Sequence, residues 1–263
     1  MDLNLNNKIA LICGASKGLG YATATEFSKE GATVLICSSD EQRINQAADE
    51  IRIETGNKVF PFKADLADEK QIDALVDSVL SQFNYVDILV NNTGGPPTGF
   101  FMDFTEQEWL AAYKLTFLSV ISLSKQLIPK MVERQWGRII NLTSISVKQP
   151  IDTLIISNSI RMSIIGWAKT ISNQYANDGI TINNIATGYT FTERVINLAD
   201  NIAKNQNISP DQVINSWIEK IPAGRLAQPE EIAWMAAFLA SGKASYITGT
   251  TIPVDGGFVQ SML

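Results

Sequence analysis

The stretch KIALICGASKGLGYATATEFSKEGATVLIC, residues 8–37, decides the fold of this 263-residue chain. Two short apolar runs, KIALIC and ATVLIC, have the character of buried β-strands. The segment between them has helical periodicity and ends at Gly31, a residue type that commonly follows the last turn of a helix. The order strand, helix, strand predicts a βαβ unit.

The same alternation continues along the chain. Further β-like runs are KVFPFKAD, DILVNN, GRIINLTS, TINNIAT and TTIPVDGG, and helical segments are predicted over about 69–84, 106–134, 153–170 and 229–240. Strands that are regularly separated by helices indicate a parallel sheet of about seven strands with helices on both faces. Because no internal repeat or linker is evident, we expect a single doubly wound α/β domain over residues 1–263.

The composition limits the partners of the protein. The net charge is −6, the sequence pI is about 4.8, and no run rich in Lys or Arg occurs. These features argue against a nucleic acid or an anionic membrane surface and favour a small-molecule substrate. No apolar run approaches the roughly 18 residues that span a bilayer, and no secretory signal is evident, so we expect a cytoplasmic protein.

The cysteine and histidine content narrows the chemistry. Cys13 and Cys37 are the two cysteines, and each ends a β-like run. We therefore expect buried, reduced thiols rather than a disulfide or a metal-binding pair. The chain contains no histidine. This absence excludes a Ser-His-Asp triad, a histidine general base and most zinc-binding sets, and we predict no metal site.

The first strand runs directly into GASKGLG, residues 14–20, which we call the glycine turn. Small residues at this place allow the backbone to approach a phosphate group, while the N-terminus of the following helix faces it. The spacing G-x-x-x-G-x-G differs from G-x-G-x-x-G, and no Gly-Lys-Ser/Thr closes the turn as in a P-loop. The turn fits the pyrophosphate of a dinucleotide, and a purely structural glycine turn is the alternative.

Further segments make a family resemblance specific. The glycine turn, NNTG at 91–94, GRIINLTS at 137–144, ITINNIATG at 180–188 and the ending from GRLAQPEEIAWMAAFLAS to ITGTTIPVDGG resemble the short-chain dehydrogenase/reductase family over nearly the whole chain. The resemblance implies a Rossmann fold that binds a nicotinamide dinucleotide. Matched to the family's motifs, the cofactor-binding residues would be Gly14, Ser16, Lys17, Gly18, Leu19, Gly20, Ser38, Ser39, Asp65, Leu66, Asn92, Gly94, Arg161, Gly188, Thr190 and Thr192.

The choice of cofactor depends on the charge at the end of the second strand. An acidic residue there would bind a ribose 2′-hydroxyl and repel a 2′-phosphate. This chain has Ser38 and Ser39 at that place. Lys17 and Arg43 are candidate cations for a 2′-phosphate, so we expect NADP(H) in preference to NAD(H). The alternative is that both are ordinary solvated cations.

The resemblance also implies a catalytic set. In the family, a tyrosine protonates the carbonyl oxygen, a lysine four residues later lowers the pKa of the phenol and holds the ribose, a serine polarises the carbonyl, and an asparagine anchors a water relay. Alignment on GRIINLTS places Ser144 on the serine. Alignment on GRIINLTS and, independently, on GWAK places Ser157 on the tyrosine and Arg161 on the lysine. Thr116 stands where the asparagine is usual.

The two replacements differ in what they can do. Ser157 and Arg161 are spaced i to i+4, so they would lie on one face of a helix. Arg161 could bind the ribose hydroxyls, but a guanidinium remains protonated and cannot shuttle protons. Ser157 is a poor acid because an aliphatic hydroxyl lacks the phenol's pKa near 10. Tyr189 is a candidate for the missing acid, and a packing or lid role is its alternative.

Two segments would border the pocket. Residues 187–222 form a polar, Asn-rich insertion that leaves the carboxyl edge of the sheet, and they would be either a substrate lid or a surface insertion. The loop GGPPTGFFMDF, residues 94–104, is rich in apolar groups. It indicates a partly apolar substrate, or it only packs against the long helix.

These observations predict an NADP(H)-dependent oxidoreductase that acts on a ketone or a secondary alcohol. By resemblance, it would belong to a divergent branch similar to the β-ketoacyl carrier-protein reductases, with a 3-oxoacyl-like substrate. A non-catalytic NADP(H)-binding sensor or a structural partner subunit is the alternative, and elimination on the same fold is a third hypothesis. The resemblance also implies a homo-oligomer, commonly a tetramer.

Overall fold

A computed structural model describes residues 3–261 of the chain. Within this range, seven strands form one sheet in the order β3-β2-β1-β4-β5-β6-β7, and every neighbouring pair is parallel. This architecture confirms the doubly wound α/β fold that the sequence predicts. The strands are β1 Ile9–Cys13, β2 Thr33–Ser38, β3 Val59–Lys63, β4 Ile88–Asn91, β5 Gly137–Leu142, β6 Ile180–Thr187 and β7 Thr251–Val254.

Helices cover both faces of the sheet. Alternate residues of a strand point to opposite faces, so Ile12 packs in a core with Phe27, while Leu11 packs in a second core with Leu127. Strands that are covered on both sides are apolar along their whole length. The α-helices are α1 Gly18–Lys29, α2 Glu41–Thr55, α3 Glu69–Phe83, α4 Glu106–Tyr113, α5 Ser119–Glu133, α6 Ile155–Tyr175, α7 Glu193–Gln206, α8 Pro210–Ile218 and α9 Pro229–Ala240.

The predicted long helix over about 106–134 is present as continuous helical backbone, but it contains a π-helical turn. The chain forms α4 and α5, joined by a π-helical turn over Lys114–Leu118. The wider turn inserts extra backbone between the two helices, and such turns occur frequently at functional sites. The helices predicted over about 69–84 and 153–170 are also present. Helix α3 stops at Phe83 because Asn84 adopts a left-handed conformation, with φ 67°, and α6 extends to Tyr175.

The strand order places a cleft at the carboxyl edge of the sheet. The chain leaves β1 toward β2 on one side, whereas β4 lies against β1 on the other. In open α/β sheets, ligands bind outside the carboxyl ends of the strands at such a switch point. The glycine turn follows β1 at this place, and Asn92 follows β4.

The insertion over 187–222 folds into α7 and α8. These helices enclose a small apolar cluster of their own that includes Ala199, Val213 and Trp217. Two backbone hydrogen bonds tie the start of the insertion to the segment before α9: Phe191 N donates to Ala227 O, and Ala227 N donates to Tyr189 O. Across the described range, 3–261, none of the helices combines the length and the apolar character that crossing a membrane requires.

Candidate cofactor and active site

A cavity of about 500 Å³ lies at the carboxyl edge and brings most of the predicted site residues together. Its wall includes the predicted catalytic residues Ser144, Ser157, Arg161 and Tyr189. It also includes the predicted cofactor residues Gly14, Ser16, Lys17, Gly18, Leu19, Ser38, Ser39, Asp65, Leu66, Asn92, Gly94, Gly188, Thr190 and Thr192. Two predicted residues, Gly20 and Thr116, are not part of this wall.

The glycine turn has the geometry that a phosphate cradle requires. Gly14 has φ +57°, a conformation that side-chain-bearing residues rarely adopt. A Cβ on Gly20 would lie 2.3 Å from Gly14 O, so Gly20 allows α1 to pack closely against the turn rather than facing the cavity. The Asn92 Nδ2 group donates to Cys13 O at 3.2 Å and to Gly14 O at 3.1 Å, which fixes the turn.

The N-terminus of α1 is free to bind an anion. Lys17 precedes the helix, and its side chain makes no capping hydrogen bond to the first turn. The first N–H groups of a helix have no partner within the helix and carry a partial positive charge. The turn and the uncapped helix therefore fit the pyrophosphate of a dinucleotide, which is the group that the sequence predicts here.

The two candidate cations for a 2′-phosphate, Lys17 and Arg43, both have acidic partners. Lys17 Nζ lies 2.7 Å from Glu193 Oε2, and Arg43 Nε lies 3.3 Å from Asp40 Oδ2. The hydrogen bond and charge of Lys17 lower the pKa of Glu193 below its usual value. Ser38 donates to Asp40 O at 3.1 Å. The end of β2 itself carries hydroxyl groups and no carboxylate.

The predicted catalytic serines belong to a small hydroxyl cluster. Ser144 Oγ accepts a hydrogen bond from Ser146 N at 3.1 Å and thereby begins a short 3₁₀ turn over Ile145–Val147. Ser146 Oγ and Ser157 Oγ lie 3.4 Å apart, and both residues are buried. Sequence reasoning missed Ser146, although its place two residues after Ser144 could have suggested it.

Arg161 lies one turn after Ser157 on α6 and is buried, with 7% of its surface exposed. Its Nη1 group donates to Leu142 O at 3.1 Å, whereas Nε has no hydrogen-bond partner among residues 3–261. Burial, and secondly the charge of Arg194, lower the pKa of Arg161 to about 10. The group therefore remains a cation at neutral pH.

Thr116 and Tyr189 lie in different surroundings. Thr116 is buried inside the π-helical turn, and its Oγ1 has no hydrogen-bond partner in the part of the chain that the structure describes. The Tyr189 ring stacks on Trp217, with 4.8 Å between the ring centroids, and meets the edge of Phe258 at 5.4 Å. Burial raises the pKa of Tyr189. Among residues 3–261, Tyr189 is the only tyrosine in the wall of the cavity.

Sequence reasoning missed Arg194, which the first turn of α7 carries into the cavity wall. Its Nη1 donates to Gly95 O at 3.1 Å and its Nη2 to Pro96 O at 2.8 Å. Helix α7 is thereby linked to the loop after β4. A signal was present, because the partial positive charge at a helix N-terminus disfavours an arginine there unless another interaction holds it.

The cleft at the carboxyl edge of the sheet and the glycine turn beside it define the class of protein. The fold is a Rossmann-type α/β nucleotide-binding fold. A sequence profile described as Enoyl-(Acyl carrier protein) reductase matches residues 14–259. The chain belongs to the short-chain dehydrogenase/reductase family.

Relatives support this assignment along the whole chain. The 3-oxoacyl-[acyl-carrier-protein] reductase FabG of Chlamydia muridarum is 32% identical over 257 residues, which are 98% of this chain and 99% of the relative. The structure of L-sorbose reductase from Gluconobacter frateurii with NADPH and L-sorbose covers 100% of both chains, with TM-score 0.95 and 32% identity. YwfH, an NADPH-dependent reductase involved in bacilysin biosynthesis, has TM-score 0.92 and 28% identity, covering 97% of this chain and 99% of its own.

Proposed function

We propose that the protein is an NADP(H)-dependent oxidoreductase that interconverts a ketone and a secondary alcohol, with 3-oxoacyl-like compounds as candidate substrates. The observation that carries this proposal is that one cavity joins the glycine turn to Ser144, Ser157 and Arg161. The similarity to a 3-oxoacyl reductase and to a sugar reductase solved with NADPH supports the same class of reaction.

The preference for NADP(H) over NAD(H) rests on charge. The end of β2 carries Ser38 and Ser39, so no carboxylate there repels a 2′-phosphate. Lys17 faces the same cavity and can pair with the phosphate when Glu193 releases it. Two of the similar structures are NADPH-dependent reductases or contain NADPH, which supports this choice.

The proposed catalytic site departs from the family's Tyr-x-x-x-Lys motif, with Ser157 and Arg161 at the two positions. The bound cofactor supplies the hydride. Ser144 polarises the carbonyl by donating its hydroxyl proton in a hydrogen bond, and Arg161 holds the ribose through N–H groups that Leu142 O does not use. The proton for the alcohol oxygen comes from water, from the substrate or from Tyr189, because neither Ser157 nor Arg161 is an effective acid.

The missing phenol slows such a reaction without preventing it. A positioned general acid contributes about 10²–10⁴ in rate, or roughly 3–5 kcal/mol of the barrier. Holding the reactants in contact contributes roughly 7–11 kcal/mol. The contribution from holding the reactants in contact is the larger one. It depends on the glycine turn and the cavity wall, both of which this chain has.

The proposal also covers a lid over the cavity, the location of the protein and its self-association. Residues 187–222 act as a lid on a single domain, since Thr190, Thr192 and Arg194 bring this segment to the cavity wall. We expect a cytoplasmic homo-oligomer. Support for self-association comes from Leu110, Leu118 and Met162, which are exposed apolar side chains on neighbouring segments around α4 and α6.

A second candidate function is an NADP(H)-binding sensor or partner subunit without catalysis. It is favoured by the absence of a tyrosine or lysine at residues 157 and 161. Both the reductase and the sensor function require cofactor binding. Only the reductase would oxidise NADPH in the presence of a ketone.

The deciding experiment measures NADPH and NADH binding by fluorescence and then follows NADPH oxidation with a panel of ketones. Oxidation that Ser144→Ala lowers at least tenfold, with unchanged NADPH binding, supports the reductase. Tight binding without oxidation supports the sensor. Absence of NADPH binding would reject both functions.

A further inference from the structure

Two arginines face the same cavity without an acidic partner. Arg161 and Arg194 both line its wall, and neither forms an ion pair with a carboxylate among residues 3–261. The acidic residues of the wall are otherwise engaged: Glu193 pairs with Lys17, and Asp65 Oδ1 accepts a hydrogen bond from Ala67 N at 2.9 Å. The partners of the two guanidinium groups are neutral backbone carbonyls.

This arrangement is costly in the unliganded protein. Arg161 is a buried cation without a counter-charge, which destabilises the folded state, and the like charge of Arg194, which is itself exposed, repels it. Arg161 is more than nine-tenths buried, and its Nε group is itself buried without a hydrogen-bond acceptor among residues 3–261. An anion in the cavity would remove both penalties.

Arg138 provides an internal comparison. It is also a buried arginine, with 2% of its surface exposed. Its guanidinium donates to the carbonyls of Gly137, Gly179 and Ser241 and lies 4.5 Å from the centre of the Trp136 ring. The Nε group of Arg138 thus has an acceptor, unlike that of Arg161, and Arg138 is not among the residues of the cavity wall. Burial alone therefore does not explain the unsatisfied Arg161.

The structure makes room for the second guanidinium. A Cβ on Gly95 would overlap the Arg194 guanidinium, so a larger residue at 95 would shift this guanidinium from its present position. The loop after β4 holds this cation at the cavity wall through the carbonyl groups of Gly95 and Pro96. The same wall also carries apolar side chains, namely Ile145, Ile151, Leu154, Val195 and Leu198.

We propose that Arg161 and Arg194 bind a carboxylate of the substrate, so that the substrate is an oxo acid with an apolar body. This inference rests on the proposed reductase function. A guanidinium matches a carboxylate through two parallel hydrogen bonds, and it keeps its charge when buried. Arg161 has N–H groups for both the ribose and the carboxylate, since Leu142 O uses one of them.

A phosphate of the cofactor is the other source of an anion, and the experiment separates the two. The probes are 2-, 3- and 4-oxo acids of four to eight carbons, each paired with its methyl ester. Their binding is measured by calorimetry to protein saturated with NADP⁺, which has no hydride to transfer. We expect at least one acid to bind at least tenfold more tightly than its ester. Equal binding of all acids and esters would overturn the inference.

Three variants test whether Arg194 causes the tighter binding of the acid than of its ester. Arg194→Met and Gly95→Ala should each remove most of the preference for the acid, the first by deleting the cation and the second by displacing it. Lys125→Met, an exposed change of equal charge on α5, should preserve that preference. NADPH affinity should change less than threefold in Arg194→Met. A loss of NADPH affinity with an unchanged acid preference would assign Arg194 to the cofactor instead.

Turnover distinguishes this inference from the function on which it rests. Tighter binding of an acid without any NADPH oxidation would support the carboxylate site and reject the reductase. Oxidation of NADPH at equal kcat/KM for acids and esters would support the reductase and reject the carboxylate site. The comparison in the wild-type protein remains decisive even if a variant fails to fold.

Discussion

The Lys17 ammonium lies 2.7 Å from the Glu193 carboxylate, and this ion pair joins the glycine turn to the first turn of α7. The two residues are 176 positions apart in the sequence. The pair therefore links the proposed lid to the element that would hold the cofactor. A 2′-phosphate that uses Lys17 has to compete with Glu193.

We expect Glu193→Gln to strengthen NADPH binding by about two- to fivefold, because exposed ion pairs contribute about 0–1 kcal/mol. NADH lacks the 2′-phosphate, so its dissociation constant should change less. Fluorescence titration of both cofactors at low and high salt measures the difference. Glu219→Gln, an exposed change outside the cavity wall, is the control. Weaker NADPH binding in Glu193→Gln would contradict competition for Lys17.

The double change Ser157→Tyr with Arg161→Lys should raise NADPH-dependent ketone reduction by about 10²-fold, the lower end of what a general acid contributes. The phenol would face the cavity one turn before the ammonium that lowers its pKa. Ser157→Phe with Arg161→Lys provides similar bulk without the hydroxyl and should show no increase. If the double change instead abolishes a parental rate, the serine and arginine themselves take part in the chemistry.

Tyr189→Phe distinguishes packing from proton donation. We expect kcat to fall less than threefold, because the stacking on Trp217 needs only the ring and burial raises the phenol's pKa. The pH profile of kcat between pH 6 and 10 is measured in parallel. A fall of at least 10²-fold, with loss of a titration at alkaline pH, would assign the proton donor to Tyr189.

The stability of α9 should depend on pH through Glu231. Arg225 binds its carboxylate at 2.7 and 2.8 Å, and Gln228 N donates to it, which lowers the pKa of Glu231 to about 2. A lowered carboxyl pKa stabilises the fold above the unfolded value, about 4.5, and this contribution is lost as the pH falls toward 2.

Glu231→Gln should therefore lower the free energy of unfolding by about 1 kcal/mol at pH 7, a value reduced by solvent screening of this partly exposed pair. The difference from wild type should shrink below pH 4.5. Urea unfolding at pH 7 and pH 3 measures it. Glu230→Gln is the matched control, since this neighbouring side chain is exposed. An equal loss at both pH values would exclude the ion pair as the cause.

Much of the candidate site could be predicted because it follows strand ends. The glycine turn comes directly after β1, Ser38 ends β2, and Asn92 follows β4. Because the carboxyl ends of parallel strands lie at the same edge of the sheet, these residues meet there independently of the loop conformations. The helical spacing of Ser157 and Arg161 also survives in α6. Predictions of this kind depend on local periodicity and on chain order alone.

Two features were not predicted from the sequence, namely the π-helical turn and the position of Arg194 at the cavity wall. Apolar periodicity does not reveal the π-helical turn between α4 and α5, because Ala112, Thr116 and Val120 are buried before, within and after it. Arg194 was missed because its partners, Gly95 and Pro96, come from a distant loop. Its role depends on how α7 packs across the edge of the sheet.

The sequence by itself determined the order of strands and helices and the glycine turn, and it predicts that Ser157 and Arg161 stand at the positions of the family's tyrosine and lysine. These are properties of short segments, because burial on both faces and tight backbone turns restrict residue types locally. The tertiary structure alone decided that Glu193 engages Lys17 and that Arg161 and Arg194 share a cavity without a carboxylate. Charges interact through space, so their partners follow from packing and not from sequence distance.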